Sequence, residues 1–142
     1  MTDGPVFDQF NLVVADMEAS VAFYRLLGVD IADTLPEWQA HHRSAAGQGA
    51  FDFDIDSTTF AHEWDTGWNG GMGVLGFRVA SREAVDEIYA RLTEAGYRGQ
   101  QEPWDAFWGA RYAIVEDPDG NAVGLMSPRD PVRARMTNPP DT

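Results

Sequence analysis

Apolar side chains recur at every second position in two stretches of the chain, Phe10, Leu12, Val14 and Leu75, Phe77, Val79. Period two is the pattern of a strand with one buried face. Directly after each stretch the period lengthens. Val85, Ile88, Leu92 and Ala95 make a single stripe on a helix. Asp16 and Ser81 stand where an N-cap oxygen is wanted, and Glu18 and Glu83 fall in the first turn, where the helix dipole favours an acid. Gly28 and Gly96 fall where the two helices should end. A shift of 65 positions lays Val14 on Val79, Ala15 on Ala80, Glu18 on Glu83, Tyr24 on Tyr89 and Leu27 on Leu92. The chain therefore contains an internal repeat, each copy a strand followed by a helix.

Shorter strands follow each helix, at about 29–34, 38–45 and 50–56 in the first copy and about 97–102, 110–116 and 121–127 in the second. Asp117-Pro118-Asp119-Gly120 has the proline and glycine of a tight turn. The pattern predicts an α+β fold of two tandem βαβββ modules within one domain. The first module covers residues 1–56, a linker loop 57–73, the second module 74–127, and a Pro/Arg-rich tail 128–142 is expected to be an arm or disordered.

Composition narrows the chemistry. The chain has 142 residues, the size of one domain, and 44% are hydrophobic, as in a globular protein. There is no cysteine, so disulfides, thiolate metal sites and thiol nucleophiles are excluded. With no basic-then-apolar leader in MTDGPVFDQF, the expected compartment is the cytoplasm. No run of about 18 apolar residues occurs, so no membrane helix is expected. The net charge is −13, and all ten basic residues are arginine. Such a chain is repelled by nucleic acid and by anionic lipid, so neither is expected as a partner. The charge serves solubility, or attracts a cationic ligand if the acids converge in a pocket.

The two modules, with VADMEASVAFYRLLG in the first and GARYAIVEDPDGNAVGL in the second, resemble the vicinal oxygen chelate superfamily. That family includes glyoxalase I, extradiol dioxygenases, fosfomycin-modifying enzymes and bleomycin-resistance proteins, and the resemblance covers about residues 6 to 127. It implies a cleft-bearing half-barrel in which one strand face packs on the helices and the other lines the cleft. Phe10, Leu12, Val14, Leu75, Phe77, Val79, Val123 and Leu125 should then face the helices. Gln9, Asn11, Val13, Val74, Gly76, Arg78, Ala122, Gly124 and Met126 should face the cleft. In FDFDID, Phe51, Phe53 and Ile55 face the core, and Asp52, Asp54 and Asp56 the other side.

The family's metal-dependent enzymes draw His, Glu or Gln from four cleft positions, and the resemblance places these at Gln9, Asp54, Val74 and Gly124. Valine and glycine side chains offer no lone pair, and two remaining ligands are too few for a catalytic ion. No metal and no other cofactor is therefore expected. A rebuilt site would need one of His41 and His42, one of His62 and Glu63, and Asp54. His41 and His42 are neighbours on a strand, so at most one of them faces the cleft.

Five tryptophans are the other resource, and Trp64, Trp68, Trp104 and Trp108 lie in loop-like stretches beside Asp65 and Asp105. With Gly76 and Gly124 enlarging the cavity, an aromatic and acidic cleft suits a planar or cationic organic ligand. The expected ligand-binding residues are Gln9, Asn11, Asp54, Trp64, Trp68, Arg78, Trp104, Trp108, Arg111 and Gly124. Any one tryptophan serves equally well as core, the aspartate triplet as an edge-strand device, and Arg78 and Arg111 as partners of acids. The resemblance implies a homodimer of the bleomycin-resistance kind that sequesters a small organic ligand, an aromatic or cationic natural product. The alternative is a metal-dependent lyase, isomerase or dioxygenase with a non-standard site. A regulatory ligand-binding subunit is a third reading.

Overall fold

The computed structural model describes residues 4–135 and 138–140. Strand β1 (Val6–Val14) leads through Asp16 into helix α1 (Met17–Leu27), and β2 (Asp30–Ile31), β3 (His42–Ala46) and β4 (Asp52–Ser57) complete the first module. After helix α2 (Thr58–Trp64), the second module repeats the order with β5 (Gly73–Arg78), α3 (Arg82–Glu94), β6 (Gly99–Asp105), β7 (Arg111–Glu116) and β8 (Ala122–Met126). The caps act as their chemistry requires. Asp16 accepts from the Ala19 amide at 3.0 Å and Ser81 from the Ala84 amide at 3.1 Å, and Gly28 closes α1 at φ 111°.

The eight strands form one open sheet in the order β2-β3-β4-β1-β5-β8-β7-β6. The modules meet where β1 pairs antiparallel with β5, in a register that sets Phe10 opposite Leu75 and Leu12 opposite Gly73. The alternation then sorts the side chains. Leu12, Val14, Phe53 and Ile55 pack with Met17 and Val21 of α1, while Phe77, Val79 and Leu125 pack with Val85 and Ile88 of α3. Burying such side chains is worth about 1.5–3 kcal/mol each, so docking rather than helix propensity holds the short α1 in place. Phe10 and Leu75 depart from the expectation. They line a second cavity of about 270 Å³ with Trp68 and Met72 instead of packing under a helix. Among the described residues no helix is long and apolar enough to cross a membrane.

Three segments correct the sequence reading. The strand expected at 38–45 begins only at His42, because Pro36 starts a 3-10 turn over Pro36–Trp38. The linker is not all loop. Ser57 caps α2 through the Phe60 amide at 3.0 Å, and Phe60, Ala61 and Trp64 bury one side of that helix against the cleft face of the sheet. The tail is not a free arm over its first residues. The Asp130 amide donates to the Gly109 carbonyl at 3.0 Å, and the Arg135 amide donates to the Phe107 carbonyl at 2.7 Å. Residues 136, 137, 141 and 142 of the tail lie outside the described residues.

Candidate functional site

On the face away from α1 and α3 the sheet is divided in two. Over the second module it is filled: Trp64 of α2, Val74 of β5, and Tyr112 and Ile114 of β7 form a buried apolar cluster, backed by Trp104 and Trp108. Over the first module it stays open as a cavity of about 480 Å³. Its polar floor is Gln9 and Asn11 of β1, His42 and Ser44 of β3, and Asp52, Asp54 and Asp56 of β4. Its apolar wall is Trp38, Phe60, Trp64, Phe107, Trp108 and Tyr112.

Strand register builds the floor. β3 sets His42 opposite Asp56 and Ser44 opposite Asp54, and β1 sets Asn11 opposite Asp54. The hydrogen bonds follow these rows. His42 Nδ1 lies 2.5 Å from Asp56 Oδ1, and Asn11 Nδ2 donates to Asp56 Oδ2 at 3.3 Å. Gln9 Nε2 donates to Asn11 Oδ1 at 2.6 Å, and Ser44 Oγ donates to Asp54 at 2.7 Å. Asp56 is fully buried and satisfied by its partners, so it orients His42. Burial alone would lower the His42 pKa, but the hydrogen bond to Asp56 and the charges of Asp56 and Asp54 outweigh it, and the imidazole holds its proton above the ordinary value. Burial raises the pKa of Asp54 despite the Ser44 hydroxyl, and burial with the Asp54 charge raises that of Asp52. The floor is a concentration of negative charge that a cation would relieve.

The sites expected from sequence divide. Gln9, Asn11, Asp54, Trp64 and Trp108 meet in the cavity. Trp68 stacks edge-on against His62 at 5.1 Å, outside it. Trp104 is not in a loop: it belongs to β6 and stands behind Trp108, 5.8 Å away. Trp64 likewise closes a helix rather than a loop. Arg78 pairs with Asp8 at 3.0 Å and Arg111 with Asp86 at 3.0 Å, so both are structural partners of acids. Asp105 is held by Arg82 and Arg111, and Asp65 by Gln100, so neither adds charge to the cavity. The aspartate triplet is no edge device, because β4 lies between β3 and β1.

Gly76 and Gly124 do not enlarge the cavity. A Cβ at Gly76 would meet Gln9 Cβ at 2.8 Å, and one at Gly124 would meet the Tyr112 hydroxyl and Val74 Cγ1 at 3.0 Å each. Each glycine makes room for a neighbouring side chain to lie flat on the strand. This bears on the metal set that the resemblance implies. Of the four corresponding positions, Val74 is 1% exposed within the apolar cluster and the space at 124 is taken by Tyr112. His42 faces the cavity and His41 turns away to Ser57 Oγ at 2.9 Å, while His62 and Glu63 sit exposed on the outer side of α2. Among the described residues no three His, Asp or Glu side chains converge to hold an ion. The donor set does not fit that metal.

Sequence reasoning missed Tyr112, Trp38, Phe60, Ser44 and Arg129 of the lining. Phe60 was findable: it stands four residues before Trp64, after a serine and two threonines, the pattern of a capped helix.

Asp65 gives a prediction outside the cavity. It is fully buried, and burial pushes its pKa up to about 6 against the Gln100 and Gly67 hydrogen bonds. The folded state keeps a proton that the unfolded state loses near pH 4, so stability falls as pH rises from about 4 to 6 and then levels. Asp65→Asn should raise the thermal midpoint by about 5 °C at pH 8 and leave it nearly unchanged at pH 4. Melting curves at the two pH values check this, and an equal effect at both would contradict it.

The family model described as the Glyoxalase/Bleomycin resistance protein/Dioxygenase superfamily matches residues 6–125. Curated proteins give no match. Among solved structures, the chain is similar to an NAD-dependent benzaldehyde dehydrogenase from Legionella pneumophila, with a TM-score of 0.62 at 18% identity, over 84% of this chain and 96% of that one. It is similar to a glyoxalase/bleomycin resistance protein/dioxygenase superfamily member from Vibrio splendidus 12B01, with a TM-score of 0.58 at 15% identity over 84% and 96%. It is also similar to a Mn(II)-bound glyoxalase from Novosphingobium aromaticivorans, with a TM-score of 0.60 at 18% identity over 97% of this chain and 42% of that one. At these identities the likeness is one of fold.

Proposed function

From the premise that the chain belongs to the glyoxalase/bleomycin resistance protein/dioxygenase superfamily, we propose that it is a small-molecule-binding protein that captures a planar, positively charged organic molecule without a metal. One observation carries this reading: a carboxylate floor, Asp52, Asp54 and Asp56, faces a wall of aromatic rings across one cavity of about 480 Å³. That volume lies in the range of small-molecule sites. The wall supplies stacking and cation–π contact, and the floor supplies charge. The packing of Tyr112 and Val74 at the position of the family's metal supports binding over metal-assisted turnover.

A second reading is favoured by His42, whose orientation by buried Asp56 is that of a general base. It predicts chemical change of a bound molecule, which mass spectrometry of the recovered ligand would detect.

Tryptamine, an indole bearing one ammonium group, is a suitable probe. Calorimetry should show binding at low ionic strength, and Asp54→Asn should weaken it roughly tenfold by removing a partly desolvated charge partner. No heat of binding to the unmodified protein, or an unchanged affinity in Asp54→Asn, would count against the reading.

A further inference from the structure

Arg129 is the lining residue that the reading above leaves without a task. It is the second residue of the tail after β8, is exposed, and lines the same cavity as Asp52, Asp54 and Trp108. Most arginines of the chain are engaged: Arg25 and Arg43 by Asp33, Arg78 by Asp8, Arg82 and Arg111 by Asp105, Arg98 by Glu116. Arg129 makes no ion pair or hydrogen bond with the described residues. Its charge acts on Asp52, Asp54 and His42 of the floor, but its donors hold no partner there, so an acidic chain places a guanidinium with free donors on the lining of an acidic cavity.

The backbone around Arg129 is fixed on both sides. The Ser127 amide donates to the Arg111 carbonyl at 3.0 Å, and Ser127 Oγ accepts from the Arg111 amide at 2.8 Å. On the other side the Asp130 amide is tied to Gly109, and Asp130 Oδ1 accepts from the Val132 amide at 3.0 Å to cap the next turn. The Asp130 carbonyl lies so close to Gly109 that a Cβ there would meet it at 2.4 Å, and Gly109 has φ 95°. Arg135 closes the strap with a guanidinium bond of 2.9 Å to the Asp105 carbonyl. The strap therefore lies on the 105–111 loop that carries Phe107 and Trp108. It sets Arg129 on the cavity lining beside Phe107 and Trp108, near enough for its charge to act on Asp52 and Asp54.

A cation held on the lining of a cavity with a carboxylate floor gives the cavity two kinds of charge. An arginine with free donors binds a carboxylate or phosphate in a fork, which a point charge does not. We propose that the ligand carries an anionic group as well as its cationic one, a zwitterionic aromatic molecule whose carboxylate or phosphate is taken by Arg129. This rests on the binding reading above and narrows its ligand class. The competing role for Arg129 is to dilute the charge of the floor, and the two roles differ in sign. A diluting arginine weakens the binding of any cation. A clamping arginine strengthens the binding of a ligand that also bears an anion.

Three indole probes separate these roles by calorimetry on the full chain: tryptamine with the cation alone, indole-3-propionate with the anion alone, and tryptophan with both. The proposal expects tryptophan to bind roughly tenfold tighter than tryptamine, the size of a charge-assisted contact. In Arg129→Gln that advantage should vanish while tryptamine binds as well or better, and Arg129→Lys should restore part of it. The proposal is overturned if tryptophan binds no tighter than tryptamine, or if its advantage survives in Arg129→Gln. In either case tryptamine binding would leave the broader reading standing. If none of the three probes binds, both fall together.

Discussion

Gly73→Ala should lower the thermal midpoint by about 10 °C, the loss expected when overpacking costs about 3 kcal/mol in a domain of this size. Gly73 opens β5 and lies opposite Leu12 in the seam between the modules. A Cβ on Gly73 would fall 2.1 Å from the Asn11 carbonyl oxygen and 3.2 Å from Leu12 Cα. Both are backbone atoms of β1, so no rotamer change relieves the clash, and β1 and β5 must move apart. The control is Gly71→Ala, where the nearest atom is Asn69 Oδ1 at 3.4 Å and the midpoint should hold. A Gly73→Ala protein that melts with the unmodified one would mean that the seam register is not Leu12 on Gly73.

Trp108→Ala should weaken tryptamine binding by about tenfold, since one desolvated cation–π contact is worth up to about 2 kcal/mol. Trp108 lines the cavity, its indole donates to Met126 Sδ at 3.2 Å, and its ring stands 5.2 Å from that of Tyr112. Trp104 gives the opposite pattern. It does not line the cavity, and it packs against Phe107 and Trp108 from behind. Trp104→Ala should therefore cost stability, about 3 kcal/mol for deleting a large aromatic group, and leave a smaller trace on affinity. Melting and calorimetry on the two variants test the assignment, which fails if Trp104→Ala abolishes binding and Trp108→Ala spares it.

These two tryptophans show where sequence reasoning reaches and where it stops. The strand-and-helix repeat was legible because its information is local: alternation at Phe10, Leu12 and Val14, the caps at Asp16 and Ser81, the glycine at 28. The face of β1 that bears Gln9 and Asn11 followed from the same alternation, and so did the row of Asp54. Trp104 and Trp108 are four apart, and nothing in that spacing separates the one on a strand from the one on a loop. Gly124 was legible as a missing carboxylate. That its space is filled by Tyr112 depends on the diagonal neighbour across β7 and β8, which the sequence of either strand leaves open. Arg129 was illegible for a further reason. Its position depends on a contact between Gly109 and Asp130, two loop residues whose approach no periodicity encodes.

The place of β1 in the sheet has a consequence for how the chain is made. β1 precedes the other strands of the sheet in the chain, yet it lies between β4 and β5, and its second neighbour is finished only at Arg78. A nascent chain that has completed its first module exposes β1 as an open nine-residue edge until β5 emerges. The pairing it awaits joins residues about 65 apart, a slow kind of contact to form. During that wait, β5 of another copy offers the same partner. An exchange of modules between two chains would re-form the same seam without any new interface. The stretch from α2 to Met72 is thus the part of the chain whose length sets how soon β5 can meet its own β1.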